Sequence, residues 1–225
     1  MQHNLKWSSH NWLVHRIILC HLKTVIPQYS TGRLLDIGCG DKPYENLARS
    51  FVDEYVSLDH IDSQHSLSRA DIIGDSHHAP IRNHCCDTIL FTSVLEHLER
   101  PNEAIGEMHR ILRGGGHVIS TCPFFWHLHE EPRDFYRFSK YGLRYLFESN
   151  GFEVLEIRAL SGFWVTFGQL FVYYLYRFRR GGKLSPLWWL IPPIGSIVQG
   201  IAYALDRLDR AEQWTWMYMV VARKR

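Results

Sequence analysis

Two glycines and two acids in the first part of the chain could bind a cofactor that contains a ribose. Gly38 and Gly40 follow the short apolar run Arg33–Ile37, in which Asp36 is the only acid. Glycine has no side chain, so a ligand can approach the backbone of such a turn closely. Asp59 ends the next apolar run, at about the 20-residue interval expected of an acid that binds ribose hydroxyls. The pattern therefore predicts a cofactor site where two neighbouring strands end.

The same turn argues against two other nucleotide sites. A dinucleotide fingerprint needs a third glycine where this chain has Pro43. A P-loop needs Gly-Lys-Ser or Gly-Lys-Thr after the turn, and the sequence has neither there. On these residues alone, a strand-to-helix turn that binds nothing is an equally good interpretation.

Apolar runs that alternate with helical patterns predict the elements that hold these residues. The predicted strands are Arg33–Ile37, Tyr55–Asp59, Ala70–Ile73, Asp87–Phe91, His117–Thr121, Phe152–Ile157 and Trp214–Ala222. The predicted helices are Trp12–Ile26, stopped by Pro27, then Lys42–Ser50, Pro101–Leu112, ended by the glycines 114–116, and Tyr141–Ser149. Since each parallel strand needs a crossover connection, this alternation predicts an α/β, doubly wound sheet with helices on both faces.

Composition is that of a folded protein and does not favour nucleic-acid binding. Hydrophobic residues make up 46% of the 225 residues, and 25 Lys and Arg nearly balance 23 Asp and Glu. The five cysteines have no spacing typical of a disulfide framework, and no signal-peptide cleavage site follows the first apolar run. We expect a single domain in a reducing compartment, the cytoplasm.

Several ordered motifs resemble those of one enzyme family. The stretch Leu34–Gly40, with Lys42, Pro43 and Tyr44 after it, resembles the first motif of class I S-adenosylmethionine-dependent methyltransferases. Similar segments follow in the family's order: Ser57–Asp59, Ala70–Asp75, Pro80–Ile81 with Cys86–Leu98, and Glu107–Pro123. The resemblance is greatest to the small-molecule branch called type 11. It covers residues 30 to 158 and the final strand.

The resemblance implies a Rossmann-like seven-stranded sheet with an antiparallel last strand and S-adenosyl-L-methionine as cosubstrate. It implies that Asp59 holds the ribose of the cosubstrate and that Asp75 contacts its adenine amino group. The cosubstrate residues expected from it are Asp36, Gly38, Cys39, Gly40, Tyr44, Asp59, His60, Asp75, Ser76, Ser93 and Val94.

Candidates for the chemistry lie after the fifth strand, in the segment Trp126–Ser139, which resembles a family segment on the substrate side of the cleft. Methyl transfer is an in-line displacement, so the protein supplies alignment, and a base when the acceptor is a hydroxyl. His129 is the first candidate base because imidazole titrates near neutral pH, with Asp134 beside it. His97 could lie near the methyl group. The alternatives are that His129 and Asp134 only orient the loop and that His97 caps or packs a helix.

Two arginines of the same segment have two interpretations. Arg133 and Arg137 could bind an anionic substrate such as a phosphate or a carboxylate. Surface ion pairs are the simpler explanation for both.

A group of soft and borderline metal ligands lies between residues 77 and 86. It consists of His77, His78, His84, Cys85 and Cys86. The two cysteines are adjacent and no Cys-x-x-Cys pair is present, so the spacing disfavours zinc. We predict no metal site.

Residues 159–213 form an apolar, aromatic stretch between the last two predicted strands. Phe163–Phe178 is short for a membrane-spanning helix, which needs about 20 residues, and Leu187–Leu205 contains Pro192 and Pro193. Aromatic and basic residues together instead favour a helical insertion that dips into one membrane leaflet. These residues are Trp188, Trp189, Arg177, Arg179, Arg180 and Lys183. A lid over the site and a homodimer contact are the alternatives.

These observations predict a methyltransferase for a small-molecule or lipid-linked glycan acceptor, modified at oxygen rather than at nitrogen or carbon. Its expected parts are an N-terminal helical segment (1–29), a cosubstrate-binding core (30–158), the apolar insertion (159–213) and a final strand with a basic tail (214–225). Residues 160–210 are expected to contact the inner face of a membrane peripherally. The alternative is a noncatalytic methyltransferase-like adaptor for a membrane or a protein.

Overall fold

The structure is a computed structural model that describes residue 6 and residues 9–180 and 189–225, without the side chains of residues 179 and 180. The chain divides into two compact units. The larger comprises residues 22–124, 128–158 and 218–225, and the smaller comprises the residues up to 21, 125–127 and 159–217. Lys183, Pro186 and Trp188, three residues of the predicted insertion, lie outside the described residues. The single-domain organisation stays a prediction.

A seven-stranded sheet forms the larger unit. Its strands are β1 (Arg33–Ile37), β2 (Glu54–Asp59), β3 (Ile72–Ile73), β4 (Cys86–Thr92), β5 (Leu112–Pro123), β6 (Phe152–Ala159) and β7 (Met217–Lys224). They lie in the order β3-β2-β1-β4-β5-β7-β6. The pairs β1–β2, β1–β4, β2–β3 and β4–β5 are parallel, whereas the last strand runs antiparallel. The predicted α/β Rossmann-like fold is confirmed.

The central strands are buried because helices cover both faces of a parallel sheet. Leu34 and Leu35 in β1 are fully inaccessible to solvent, and so are Ile89, Leu90 and Phe91 in β4. Strands buried on both faces appear in a sequence as continuous apolar runs, which is why both were predicted to within one residue.

Three helices flank these strands: α2 (Glu45–Ala48), α3 (Pro101–Ile111) and α4 (Lys140–Ser149). The Oγ of Ser139 caps α4 by accepting from the backbone N–H of Gly142 at 3.2 Å. The helix predicted over Lys42–Ser50 begins only at Glu45 and ends at Ala48; the later start follows from Lys42, whose φ of 54° is incompatible with a right-handed helix.

Glycines 114–116 do not separate α3 from a later strand as predicted, because β5 already begins at Leu112. They occupy an irregularity in the ladder, which steps from the pair Cys86–Leu112 to the pair Thr88–His117. Gly115 has a φ of 78°, a conformation that glycine adopts without strain. The glycines therefore permit a bulge within the strand rather than a break before it.

Helix α1 (Trp12–Tyr29) continues through Pro27, although Pro27 was predicted to stop it. Proline removes one backbone donor, and near a helix end few bonds are lost. The N–H of Ser30 still donates to the carbonyl of Ile26 at 2.9 Å, so the last turn stays closed.

Two helices dominate the smaller unit, α5 (Phe163–Tyr176) and α6 (Ile191–Leu208). They approach closely at Gly168, where an added Cβ would lie 2.7 Å from the Cβ of Ala202. This pair is the predicted helical insertion. Across the described residues, none of the helices combines the length and the apolar character that crossing a membrane requires.

Candidate active site

The turn after β1 packs tightly against Val94, two residues after the end of β4. Gly38 and Gly40 have φ values of 69° and 47°, which favour glycine. The N–H groups of Gly38 and Cys39 both donate to the carbonyl of Leu58, at 2.8 and 3.2 Å. A Cβ at Gly38 would lie only 2.3 Å from Cγ2 of Val94. The absence of a side chain at Gly38 is thus a geometric requirement.

Asp59 is held against this turn at the end of β2. It is buried, and its Oδ2 accepts the backbone N–H of Gly40 at 3.0 Å and the hydroxyl of Ser63 at 3.3 Å. Its Oδ1 accepts the backbone N–H of His60 at 2.8 Å. An ionised carboxylate has about four acceptor positions, so these three bonds leave capacity for a further donor such as a ribose hydroxyl.

Asp75 follows β3 and carries an ionised carboxylate. Its Oδ1 lies 2.8 Å from the backbone N of His77 and 2.6 Å from the Nδ1 of that residue. Burial by itself raises the pKa of Asp75, but the hydrogen bonds from His77 outweigh it and the pKa falls below its usual value. An ionised acceptor is what an adenine amino group would need. Ser76, next to it, is buried.

Ser93 and Val94 follow β4 in the corresponding place. Ser93 has a φ of 54°, and its N–H donates to the carbonyl of Thr121 in β5 at 3.0 Å. Because β3, β2, β1 and β4 are parallel neighbours, the residues that follow them share one edge of the sheet. The structure thus gathers the predicted cosubstrate residues at that edge.

Three further predicted cosubstrate residues are buried in or beside the turn after β1: Asp36, Cys39 and Tyr44. Tyr55 donates its hydroxyl to Oδ2 of Asp36, whose pKa burial raises to about 7 against the opposing effect of that hydrogen bond. Burial also raises the pKa of Cys39 to about 11 and that of Tyr44 beyond its usual value. The Cys39 thiol and the Tyr44 hydroxyl are therefore neutral at pH 7, and burial favours a role in shaping the turn.

The three predicted catalytic residues also come together. The rings of His97 and His129 lie 4.8 Å apart, edge to face. Asp134 accepts the backbone N–H of His129 at 2.9 Å, and its Oδ2 lies 3.3 Å from Nδ1 of the same residue. Burial lowers the pKa of His129 below its usual value in spite of the nearby carboxylate. His129 is thus a neutral imidazole at pH 7.

Both arginines of this segment form ion pairs with carboxylates. Arg137 contacts both oxygens of Asp134, at 2.6 and 2.7 Å. Burial alone would raise the pKa of Asp134, but the Arg137 hydrogen bonds outweigh it and lower the pKa to about 2. Arg133 lies 3.6 Å from carboxylates of both Asp62 and Glu99. Both arginines therefore form ion pairs, as the simpler interpretation expects, and their binding of an anionic substrate stays a prediction.

Glu96 was not selected from the sequence, yet its carboxylate is central to this cluster. It lies in the 3-10 turn Leu95–His97 and is fully buried, and burial raises its pKa to about 8. Its Oε1 lies 4.0 Å from Nε2 of both His97 and His129. The available signal was an acid inside the apolar stretch Val94–Leu98.

The histidines and cysteines between residues 77 and 86 do not form a ligand set. His77 pairs with Asp75, whereas Nδ1 of His84 lies 3.1 Å from the carbonyl of Leu112. A possible ligand group lies elsewhere in the described part of the chain. It consists of Glu96, His97 and His129, whose donor atoms lie within 4.8 Å of one another.

Comparison with known proteins agrees with this geometry. Residues 35–120 match the family model described as a methyltransferase domain. A search of curated protein sequences finds no match. The matched residues run from β1 into β5 and contain the glycine turn and the ends of β2, β3 and β4.

Solved structures share the fold at low sequence identity. An S-adenosylmethionine-dependent methyltransferase from Archaeoglobus fulgidus is 15% identical, with a TM-score of 0.59 over 93% of this chain and 94% of the other. Phosphoethanolamine N-methyltransferase 2 from Haemonchus contortus, in complex with S-adenosyl-L-methionine, is 16% identical, with a TM-score of 0.57 over 95% and 52%. The [4+2]-cyclase SpnF is 18% identical, with a TM-score of 0.57 over 91% and 80%.

Proposed function

We propose that the chain is a class I S-adenosylmethionine-dependent methyltransferase, with S-adenosylmethionine as cosubstrate, that methylates an oxygen of a small or lipid-linked acceptor. The observation that carries the assignment of the cosubstrate site is the contact between the glycine turn and Asp59. In this proposal Asp59 binds the ribose and Asp75 the adenine amino group. The backbone of Gly38–Gly40 and the residues Ser93 and Val94 form the adjacent wall.

His129 is the proposed proton acceptor for the hydroxyl. Oδ2 of Asp134 lies 3.3 Å from its Nδ1, and the negative charge of Asp134 stabilises the imidazolium that forms. The acceptor loses its proton to His129 and its oxygen forms the new bond to the methyl carbon. The sulfur–methyl bond breaks at the same time, which leaves neutral S-adenosylhomocysteine.

The nature of the acceptor is inferred from the smaller unit, where buried polar groups coexist with exposed apolar ones. Helices α5 and α6 bury Thr166, Gln169, Ser196, Gln199 and Asp206. They expose Phe163, Trp164, Phe167, Phe171, Tyr174, Ile194, Ile197, Ile201 and Leu208. Water favours the opposite arrangement, and a large exposed apolar patch is typical of an interaction surface.

The same unit contains a cleft of about 300 Å³ that is lined by arginines. This cleft supports the proposal that the ligand carries a lipid phosphate. Arg16, Arg207 and Arg210 line it, and Arg16 and Arg207 lie over the ring of Tyr203. Asp206 is the carboxylate in the lining. In the described part of the chain these arginines form no ion pair with a carboxylate. Three guanidinium groups against one acid suit phosphate.

We therefore favour peripheral contact of the smaller unit with an anionic membrane, and a lipid-linked acceptor such as a glycan. Exposed aromatic side chains would enter the headgroup region while the arginines meet phosphates. A homodimer contact, a lid and a noncatalytic adaptor are the competing interpretations. The solved [4+2]-cyclase has the same fold, so the fold alone does not establish methyl transfer.

Transfer of radioactive methyl from S-adenosylmethionine to a membrane lipid extract tests the proposal. We expect label in the organic phase with the wild-type protein and its loss with His129→Ala, while S-adenosylhomocysteine binding is retained. Label confined to the aqueous phase with a water-soluble extract would support a small acceptor and contradict the lipid-linked one. Absence of label with either extract, from protein that binds the cosubstrate, would favour the adaptor.

A further inference from the structure

Three electron-pair donors converge beside the end of β4 without a hydrogen bond between them. The Oε1 of Glu96 and the Nε2 atoms of His97 and His129 all lie within 4.8 Å of one another. The distance from Glu96 Oε1 to each Nε2 is 4.0 Å. A hydrogen bond between such atoms spans about 2.7–3.2 Å, so the carboxylate does not bond either ring directly.

The ring orientations are fixed from the opposite side of the cluster. Nδ1 of His97 lies 2.5 Å from the carbonyl oxygen of Arg133, which can only accept, so Nδ1 carries the proton. Nδ1 of His129 lies 3.3 Å from Oδ2 of Asp134 and 3.5 Å from a guanidinium nitrogen of Arg137, which can only donate. Both rings therefore turn Nε2 toward Glu96, and in His97 that nitrogen carries the lone pair. A carboxylate behind a histidine in this way is the usual outer support of a metal ligand.

The Glu96 side chain has no hydrogen bond to compensate its burial in the described part of the chain. Its side chain is fully buried, and neither oxygen receives a hydrogen bond from another residue among those that the structure describes. Nε2 of His97 is likewise buried without a hydrogen-bond partner in that part of the chain. A buried carboxyl group and a buried acceptor nitrogen that both lack hydrogen bonds are costly, and a bound cation would satisfy both.

We propose that Glu96, His97 and His129 bind a divalent transition-metal ion. Metal bonds of about 2.0–2.2 Å place ligand atoms roughly 3–3.5 Å apart, so Glu96 Oε1 must approach each Nε2 by about 0.5–1 Å. Glu130 lies on the open side, with Oε2 at 3.8 Å from Nε2 of His97, and is placed to become a fourth ligand. Remaining positions are open to the acceptor.

The donor set indicates which ions fit. Two imidazoles and one carboxylate suit Mn²⁺, Fe²⁺, Co²⁺ or Zn²⁺, whereas Mg²⁺ and Ca²⁺ prefer oxygen ligands throughout. Co²⁺ is the practical probe because its visible absorption reports coordination by nitrogen. Mg²⁺ is the comparison ion.

This inference rests on the proposed function and refines it. A metal-bound hydroxyl loses its proton near neutral pH, so the ion replaces the general base and His129 acts as a ligand. The proton leaves to water, the acceptor oxygen bonds the methyl carbon, and the sulfonium becomes the neutral thioether. The ion also fixes the position of the acceptor oxygen for in-line attack.

Co²⁺ titration of chelator-treated full-length protein, followed by visible absorption and calorimetry, tests the site. We expect one ion per chain, binding weakened at least tenfold in Glu96→Gln and in His97→Gln, and weaker binding of Mg²⁺. His109→Asn is the matched control. His109 lies in α3, packs on Phe152 of β6 and is outside the proposed cosubstrate and metal sites, so this variant should bind Co²⁺ like the wild type. Parallel titration with S-adenosylhomocysteine shows whether each variant is folded.

The outcomes separate the two proposals. Saturable Co²⁺ binding that both variants weaken supports the metal site, even if S-adenosylhomocysteine does not bind and the methyltransferase proposal fails. S-adenosylhomocysteine binding without Co²⁺ binding overturns the metal site and leaves His129 as the base. Co²⁺ binding that neither Glu96→Gln nor His97→Gln changes also overturns it.

Discussion

The backbone N–H of Gly40 donates to the carboxylate of Asp59 across 3.0 Å. This bond joins the turn after β1 to the end of β2, two segments that the sequence separates by 19 positions. It fixes the carboxylate without exhausting its acceptor positions. The cosubstrate site therefore depends on a geometric coupling between the glycine turn and this acid, and the predictions below probe that coupling and its surroundings.

Gly38→Ala should weaken both the fold and S-adenosylhomocysteine binding. The added Cβ would lie 2.3 Å from Val94 Cγ2, at a φ of 69°. We expect a loss of about 1–3 kcal/mol in the free energy of unfolding and at least tenfold weaker binding, measured by urea titration and calorimetry. Gly114→Ala is the control, since nothing lies within 4 Å of its Cβ position. Equal effects of the two substitutions would contradict the close approach.

Asp36→Asn should change how stability depends on pH. The folded-state pKa of Asp36, raised by burial, is about 7 and its ordinary value is 3.8, so unfolding releases a proton between these values. This group therefore makes stability fall as pH rises from about 4 to about 7, by up to about 1.4 kcal/mol per unit.

Asparagine does not titrate, so the stability of Asp36→Asn relative to wild type should increase over that pH range and level off above it. Urea unfolding at several pH values measures the difference. Tyr55→Phe removes the hydrogen bond that opposes the shift and should extend the wild-type decline to higher pH. Parallel curves for wild type and Asp36→Asn would refute the raised pKa.

Asp134→Asn should lower methyl transfer while leaving S-adenosylhomocysteine affinity within about twofold. Asp134 orients His129, and loss of such an outer carboxylate costs about 10–100-fold in activity. Labelled methyl transfer to the lipid extract measures the rate. Asp87→Asn also removes an arginine-paired aspartate, but one that bonds the backbone of Arg33 and the side chain of Arg113 at the start of β4. An equal loss of transfer in both variants would indicate general destabilisation.

Phe171→Asp should reduce flotation of the protein with anionic liposomes several-fold. The Phe171 side chain is about half exposed on α5, in the apolar patch assigned to the membrane. Tyr145→Asp is the matched control, because Tyr145 is 74% exposed on α4 and lies outside that patch. If the wild-type protein stays at the bottom of the gradient and elutes as a dimer on gel filtration, the patch is a homodimer contact.

Local features of the fold were predictable from the sequence, and long-range ones were not. The glycine turn and the buried strands β1 and β4 depend on neighbouring residues, and their patterns identified them. The bulge at Gly115 depends on the ladder that β5 forms with β4, which no local pattern specifies. The late start of α2 likewise reflects the positive φ of Lys42.

The sequence pattern placed most of the predicted cosubstrate residues at the ends of strands, and the structure has them there. Their role in binding the cosubstrate stays a prediction. The Glu96 cluster was not predictable, because it needs the segment around His129 to return to the end of β4. Backbone bonds from Phe135 and Tyr136 to the carbonyl of Glu96, at 2.9 and 3.2 Å, bring that segment there. Such bonds carry no sequence signal, which is why His129 and His97 were selected separately and Glu96 was missed.

Calorimetric titration of the purified protein with S-adenosylmethionine and S-adenosylhomocysteine tests the central claim most directly. We predict one site per chain, weakened at least tenfold in Asp59→Ala and unchanged in Asp53→Ala, a substitution of an exposed aspartate just before β2. Absence of binding by a well-folded wild-type protein to either compound would contradict the account.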